Sequence, residues 1–203
     1  MVIQSTKGKG MITPSSQALL DQAPHHKVIP VVENRTQLAQ ALDHTATRLV
    51  MLRHCSLLEL GPSLENAHRR GFAIWVNIDH IYGINADEAG IQYIARHFHV
   101  QGIVSHNPKT LVLGKSLGLE TMQRVYAVDS TGLETALESV DLHYVDILNI
   151  CPALVIPHIA PYLKETMPLP FIGSGLISTQ EQVRRVFQAG AAGVTVLRSD
   201  LWP

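Results

Sequence analysis

Phe171-Ile172-Gly173-Ser174-Gly175-Leu176-Ile177-Ser178-Thr179 is an apolar run that breaks into Gly-Ser-Gly and then reaches hydroxyl residues able to cap a helix. The segment that follows, 179–189, carries the apolar period of an amphipathic helix. One strand, one turn of small residues and one helix are thus written in a single stretch. The same unit recurs on both sides of it. Aliphatic and β-branched runs at 28–32, 49–52, 73–78, 102–105, 121–128, 144–150, 170–172 and 192–197 predict eight strands. Amphipathic segments at 36–44, 62–70, 86–97, 108–117, 131–140, 154–165 and 179–189 predict the helices between them. Punctuation agrees: Asn34 and Ser178 suit N-caps, Pro62 and Pro108 suit a first helical turn, and Gly71, Gly118 and Gly190 follow helix ends.

Continuous apolar strands alternating with helices mean a parallel sheet covered by helices, an α/β protein. An open doubly wound sheet would show a Gly-rich turn after its first strand, and 28–35 has none. The expectation is a compact TIM-type (β/α)8 barrel with short loops and a truncated last helix. Residues 1–24, with Lys7-Gly8-Lys9-Gly10, Pro14-Ser15-Ser16 and Pro24, read as a flexible leader with at most one helical turn at 17–21; residues 25–203 form the barrel.

Composition narrows the function classes. The chain has 203 residues, 46% apolar and 16% charged, with a net charge of −1. That excludes a disordered regulator and supplies no general attraction to nucleic acid or anionic lipid. No run approaches the roughly 18–20 apolar residues of a membrane span, and residues 1–22 lack a secretory apolar core, so the expected location is the cytoplasm. Cys55 and Cys151 suit a reducing compartment.

A barrel carries its chemistry at the carboxyl ends of its strands. Period two along the third strand puts Trp75, Asn77 and Asp79 on one face, the barrel interior, with Asp79 near the mouth and His80 after it. Asp79 is either a functional carboxylate or an acceptor of backbone N–H groups that shapes the Ile81-Tyr82-Gly83 turn. Gly173, Ser174 and Gly175 at the seventh strand let main-chain amides approach an oxyanion, with Thr195 and Arg198 beside them at the eighth. Arg124, at the end of the fifth strand, either grips a phosphate or carboxylate or pairs with Asp129. Ser105 ends the fourth strand and Asn149 lies on the sixth. His80 and His106 on separate loops do not make a metal site with Asp79, so neither metal nor cofactor is expected. No lysine sits at a strand end, which argues against Schiff-base aldolase chemistry.

Several stretches resemble the glycerol-3-phosphate-responsive antiterminators, the glycerol uptake operon antiterminator regulatory proteins. Ile78-Asp79-His80-Ile81-Tyr82-Gly83 is similar to that family's H-x-D-L-x-x-G region, and Gly102-Ile103-Val104-Ser105 to its G-I-I-S. Met122-Gln123-Arg124-Val125-Tyr126-Ala127-Val128-Asp129-Ser130 matches I-Q-R-L-F-x-x-D-S. Val145-Asp146-Ile147-Leu148-Asn149-Ile150-Cys151-Pro152-Ala153 resembles P-D-x-I-E-I-L-P-G, Gly173-Ser174-Gly175-Leu176-Ile177 resembles A-G-G-L-I, and the closing Asp200-Leu201-Trp202 also fits. The resemblance spans 28–202. It implies a non-catalytic barrel that binds glycerol 3-phosphate and then acts on leader mRNA to prevent termination. Departures bear on the ligand: Asn77 stands for the family's His, His80 for Leu, His106 and Asn107 for Thr and a basic residue, Asn149 for Glu, and Ala153 for Gly. Thr195-Val196-Leu197-Arg198 replaces a run of small hydroxyl residues, with Arg198 offering a charge in compensation.

The leading expectation is a regulator of glycerol metabolism that binds a phosphorylated polyol through Asn77, Asp79, Ser105, Arg124, Asn149, Gly173, Ser174, Gly175, Thr195 and Arg198. Arg69-Arg70 and Arg184-Arg185 are candidate RNA contacts. A second reading is a barrel enzyme on a phosphorylated sugar or polyol, with Asp79 as general base and His80 or His106 as acid. A third is a barrel that has lost its ligand and serves only as a binding surface. The sequence leaves the oligomeric state open, a homodimer included.

Overall fold

A computed structural model describes residues 27–202; the leader expected at 1–24, and the helical turn expected within it, lie outside the described residues. Eight parallel strands close into a barrel in chain order. They are β1 (Val28–Val32), β2 (Leu49–Leu52), β3 (Ala73–Asn77), β4 (Gly102–Ser105), β5 (Glu120–Tyr126), β6 (Ile147–Cys151), β7 (Phe171–Ser174) and β8 (Gly193–Val196). The helices are α1 (Arg35–His44), α2 (Leu57–Arg69), α3 (Glu88–His97), α4 (Pro108–Ser116), α5 (Ser130–Glu138), α6 (Ile156–Thr166) and α7 (Gln180–Gln188). After β8 only a short 3₁₀ turn, Ser199–Leu201, stands where an eighth helix would be.

Local chemistry sets the boundaries. Asn34 caps α1 as expected. The cap of α7 is Thr179 rather than Ser178, because Gln182 completes a capping box with Thr179. α2 begins at Leu57, which leaves Pro62 inside the helix instead of in its first turn. β6 starts only at Ile147: Tyr144 and Val145 donate back to the Asp141 carbonyl and form a turn.

Following the register around the closed sheet sorts inward-facing residues into layers of four from alternate strands. The lowest full layer holds Leu49, Gly102, Ile147 and Gly193, with Glu120, buried on the same face of β5, beneath it. Above it come Ile29, Trp75, Met122 and Ile172, then Met51, Val104, Asn149 and Thr195, and finally Val31, Asn77, Arg124 and Ser174. Packing dictates residue size at the bottom: a Cβ on Gly102 would lie 2.8 Å from the Trp75 ring. The outward faces of the strands pack with the helices in a second, larger core that includes Val76, Ile103, Leu148 and Val194. From the Leu49 layer upward the interior therefore changes from apolar to polar toward the mouth. That gradient places the site.

Candidate functional site

Asn77, Arg124 and Ser174 share the uppermost full layer, and Asn149 and Thr195 lie in the layer beneath. All five are buried, Arg124 at 8% exposed and Ser174 at 3%. Arg124 Nε, Ser174 Oγ, Asn77 Nδ2 and Asn149 Oδ1 are enclosed and meet no hydrogen-bonding partner in the protein. Asp129, the counterion considered for Arg124, instead caps α5 by accepting from Gly132 N at 2.7 Å. No carboxylate among the described residues pairs with Arg124. A buried guanidinium without a counterion is costly, and so are orphaned buried polar atoms; together they form a surface that gains most from an anion.

The layer borders a cavity of about 260 Å³ at the mouth, lined also by Arg53, Cys151, Gly175, Leu197 and Arg198. Gly175 (φ 77°) and Leu176 (φ 60°) are successive left-handed residues at the end of β7. The N–H groups of Leu176 and Ile177, past the end of the β7–β8 ladder, reach no protein acceptor among the described residues. The Gly175 carbonyl accepts from Ala153 N at 3.3 Å, which ties the loop to the end of β6. Gly173 has a different role: a Cβ there would meet Ala153, Ile156 and Val186 at 2.9–3.0 Å, so its lack of a side chain seats the helices and does not open the mouth.

Asp79 does not continue the inward face of β3. The strand stops at Asn77 and the chain turns into the 3₁₀ segment Ile78–His80. Asp79 Oδ1 accepts from Ser105 Oγ at 2.7 Å, and Oδ2 accepts from His106 N at 2.9 Å and meets His106 Nδ1 at 2.7 Å. Asp79 therefore clamps the β3 turn to the end of β4 and orients His106. Ser105 points outward from the barrel and serves that clamp; it does not face the cavity. The His106 side chain remains 60% exposed. His80 stacks on His54 with centroids 4.7 Å apart. Burial, and then the positive fields of His54 and Arg124, hold its imidazole below the usual histidine range.

Arg198 reaches the rim, but its guanidinium is held by both oxygens of Asp200, at 3.0 and 2.7 Å. Arg53 extends the inward alternation of β2 past Leu49 and Met51 and pairs with Glu33 at 2.8 Å. It is a lining residue that the sequence reading passed over; the period-two continuation of β2 was its signal. Of the arginines weighed as RNA contacts, Arg70 pairs with Asp43, and Arg184 and Arg185 both pair with Glu181. Among the described residues no group of three or more His, Cys, Asp or Glu is placed to hold a metal ion, and no helix is long and apolar enough to cross a membrane.

Comparison with known proteins gives this geometry a context. The chain is 24% identical over 186 residues to the uncharacterized protein YgcP of Escherichia coli (strain K12), covering 91% of this chain and 94% of that protein. Its fold matches the glycerol uptake operon antiterminator regulatory protein of Listeria monocytogenes str. 4b F2365 with a TM-score of 0.79 and 21% identity, over 87% of this chain and 94% of that one. A glycerol uptake operon antiterminator-related protein of Thermotoga maritima MSB8 matches with a TM-score of 0.75 and 23% identity, over 86% and 96%. The model of one family, glycerol-3-phosphate responsive antiterminator, matches residues 28–202, the whole barrel from its first strand to Trp202, and the chain belongs to that family.

Proposed function

We propose that this protein is a ligand-sensing regulator that binds a small phosphorylated compound of the glycerol 3-phosphate type at the barrel mouth. Loaded with it, the protein acts on the leader mRNA of a glycerol-utilisation operon to prevent termination, which places it in the cytoplasm with the nascent transcript. The observation that carries the ligand half is Arg124: 8% exposed, without a carboxylate partner, its Nε unpaired beside the equally unpaired Ser174 Oγ. The amides of Leu176 and Ile177 supply oxyanion donors across the same cavity. Thr195 adds a hydroxyl from below, and Arg198 a charge at the rim. The RNA half rests on family membership.

A ligand shifts a two-state protein only by its differential affinity, typically about 1–3 kcal/mol of coupling. Calorimetry with glycerol 3-phosphate tests the ligand, and heat that disappears in Arg124→Gln is the expected result. Gel shifts with leader RNA at low salt test the output; binding that rises with ligand supports it, and ligand-independent binding or none removes it.

The Asp79–His106 contact favours a second reading, a phosphosugar or phosphopolyol enzyme. Because the carboxylate is occupied, the acid–base role there passes from Asp79 to His106. Turnover in a phosphosugar panel, lost in His106→Gln with ligand affinity retained, would establish that reading over the sensor.

A further inference from the structure

Rings are sorted around the mouth. His54 follows β2, His80 and Tyr82 follow β3, His106 follows β4, and Tyr126 is the last residue of β5. Above β7 and β8 the exposed apolar side chains are aliphatic, Leu176 and Leu197. Tyr82 is 59% exposed and Tyr126 42%. The rings also face one another in pairs. His54 stacks on His80 and lies 6.1 Å from the Tyr82 ring, tilted by 43°, with its Nδ1 3.3 Å from the Tyr82 hydroxyl. His106 and Tyr126 lie 6.5 Å apart, tilted by 57°.

The second pair is built like a clamp. One jaw is fixed, because Asp79 holds His106 Nδ1 at 2.7 Å. The other can turn: the Tyr126 hydroxyl makes no hydrogen bond among the described residues. Two rings that sandwich a flat group stand about 7 Å apart, twice the roughly 3.5 Å contact distance between carbon atoms. The centroids already have nearly that spacing, and rotating Tyr126 parallel to His106 completes a slot one ring thick. Charge at the rim is already paired, Arg53 with Glu33 and Arg198 with Asp200, so a partner here is held chiefly by stacking. Single-stranded RNA offers unstacked bases to such rings, whereas a duplex keeps its bases stacked inside. Resting on the reading of this protein as a regulator that acts on RNA, we propose that the rim above β2–β5 is its RNA surface. It takes single-stranded RNA, and one base inserts between His106 and Tyr126. Tyr126 lies one strand period beyond Arg124 on the same face of β5, so a ligand that immobilises Arg124 steadies the strand end that carries the ring.

Fluorescence anisotropy of the full chain with labelled RNA, at saturating glycerol 3-phosphate, tests this. The probes are a randomised single-stranded 20-mer and a double-stranded 20-mer. The single strand should bind at least tenfold tighter than the duplex, with a slope of log K against log salt no steeper than about −1.4, that of two phosphate contacts. Tyr126→Ala and Tyr82→Ala should each weaken the single strand at least tenfold, and Tyr126→Phe should stay within threefold of the native chain. Tyr144→Ala, in the turn before β6 at the other end of the barrel, should change nothing. Calorimetry of Tyr126→Ala with glycerol 3-phosphate should give an affinity within threefold of native, which separates the RNA surface from the ligand site. Either alanine variant decides the matter if the other fails to melt cooperatively. Preference for the duplex, a steeper salt slope, or rim alanine variants within threefold of native overturns the surface while leaving the RNA reading standing. Failure of both RNAs to bind at low salt, with and without glycerol 3-phosphate, overturns both.

Discussion

At the residue scale the tension in this molecule centres on Arg124. A buried charge without a partner is a liability to the unliganded fold and an asset to a ligand. Replacing such a group with an apolar residue of similar volume is often stabilising by about 1–4 kcal/mol. Arg124→Met should accordingly raise the unliganded melting temperature and abolish binding of phosphorylated ligands; a loss of stability instead would assign Arg124 a structural role. The two cysteines separate in the same manner. Cys55 is 1% exposed, donates to the Val32 and Arg53 carbonyls, and burial pushes its thiol up to about 11. Cys151 is partly exposed and lines the mouth. Iodoacetamide at pH 8 should label Cys151 in the native protein at least tenfold faster than Cys55, with mass spectrometry as the readout. His80 adds a pH dependence. Its folded pKa lies below its unfolded value of about 6.5, so the unfolded chain binds more protons between those two values. Its contribution is fully present above pH 6.5 and is lost as pH falls through that window. Thermal melts should lose more stability on acidification from pH 7.5 to 5.5 in the native protein than in His80→Gln.

At the element scale, strands and helices were legible because each carries its own period. β1, β2 and β4 coincide with the apolar runs that predict them. Where boundaries moved, a side chain beyond the pattern decided them, as Gln182 did by closing a capping box on Thr179. Thr179→Ala should cost about 1 kcal/mol in chemical denaturation. Gly173 shows the limit of motif reading. Within Gly-Ser-Gly it looks like its neighbour, yet it faces α6 and α7 while Gly175 turns the loop. Gly173→Val should therefore destabilise by about 1–3 kcal/mol through overpacking, with little change in ligand affinity measured on the folded fraction. Gly175→Val, forced into a left-handed conformation at the amide turn, should weaken the ligand as well.

At the scale of the whole molecule, closure gathers side chains from strands far apart in sequence into one layered interior. A ligand seated there touches several strands and should stabilise the barrel as a unit. At a concentration one hundred times its dissociation constant the gain is about 2.7 kcal/mol, which for a domain of this size corresponds to roughly 5–11 °C in melting temperature. Differential scanning fluorimetry reads that directly, and a saturating ligand that leaves the melt unmoved would place binding outside the barrel. The sequence by itself determined the architecture, because eight short aliphatic runs separated by amphipathic segments can bury their faces only as a parallel sheet wrapped in helices. It also determined which end bears the polar residues. Only the tertiary structure decided which of those residues meet. Alternation specifies direction only as long as the strand lasts, so Asp79, beyond the last residue of β3, turned to Ser105 and His106. Arg53, just past β2, came to line the mouth. The isolation of Arg124 likewise emerged only in three dimensions: Asp129, its nearby acid in sequence, was drawn off to cap a helix.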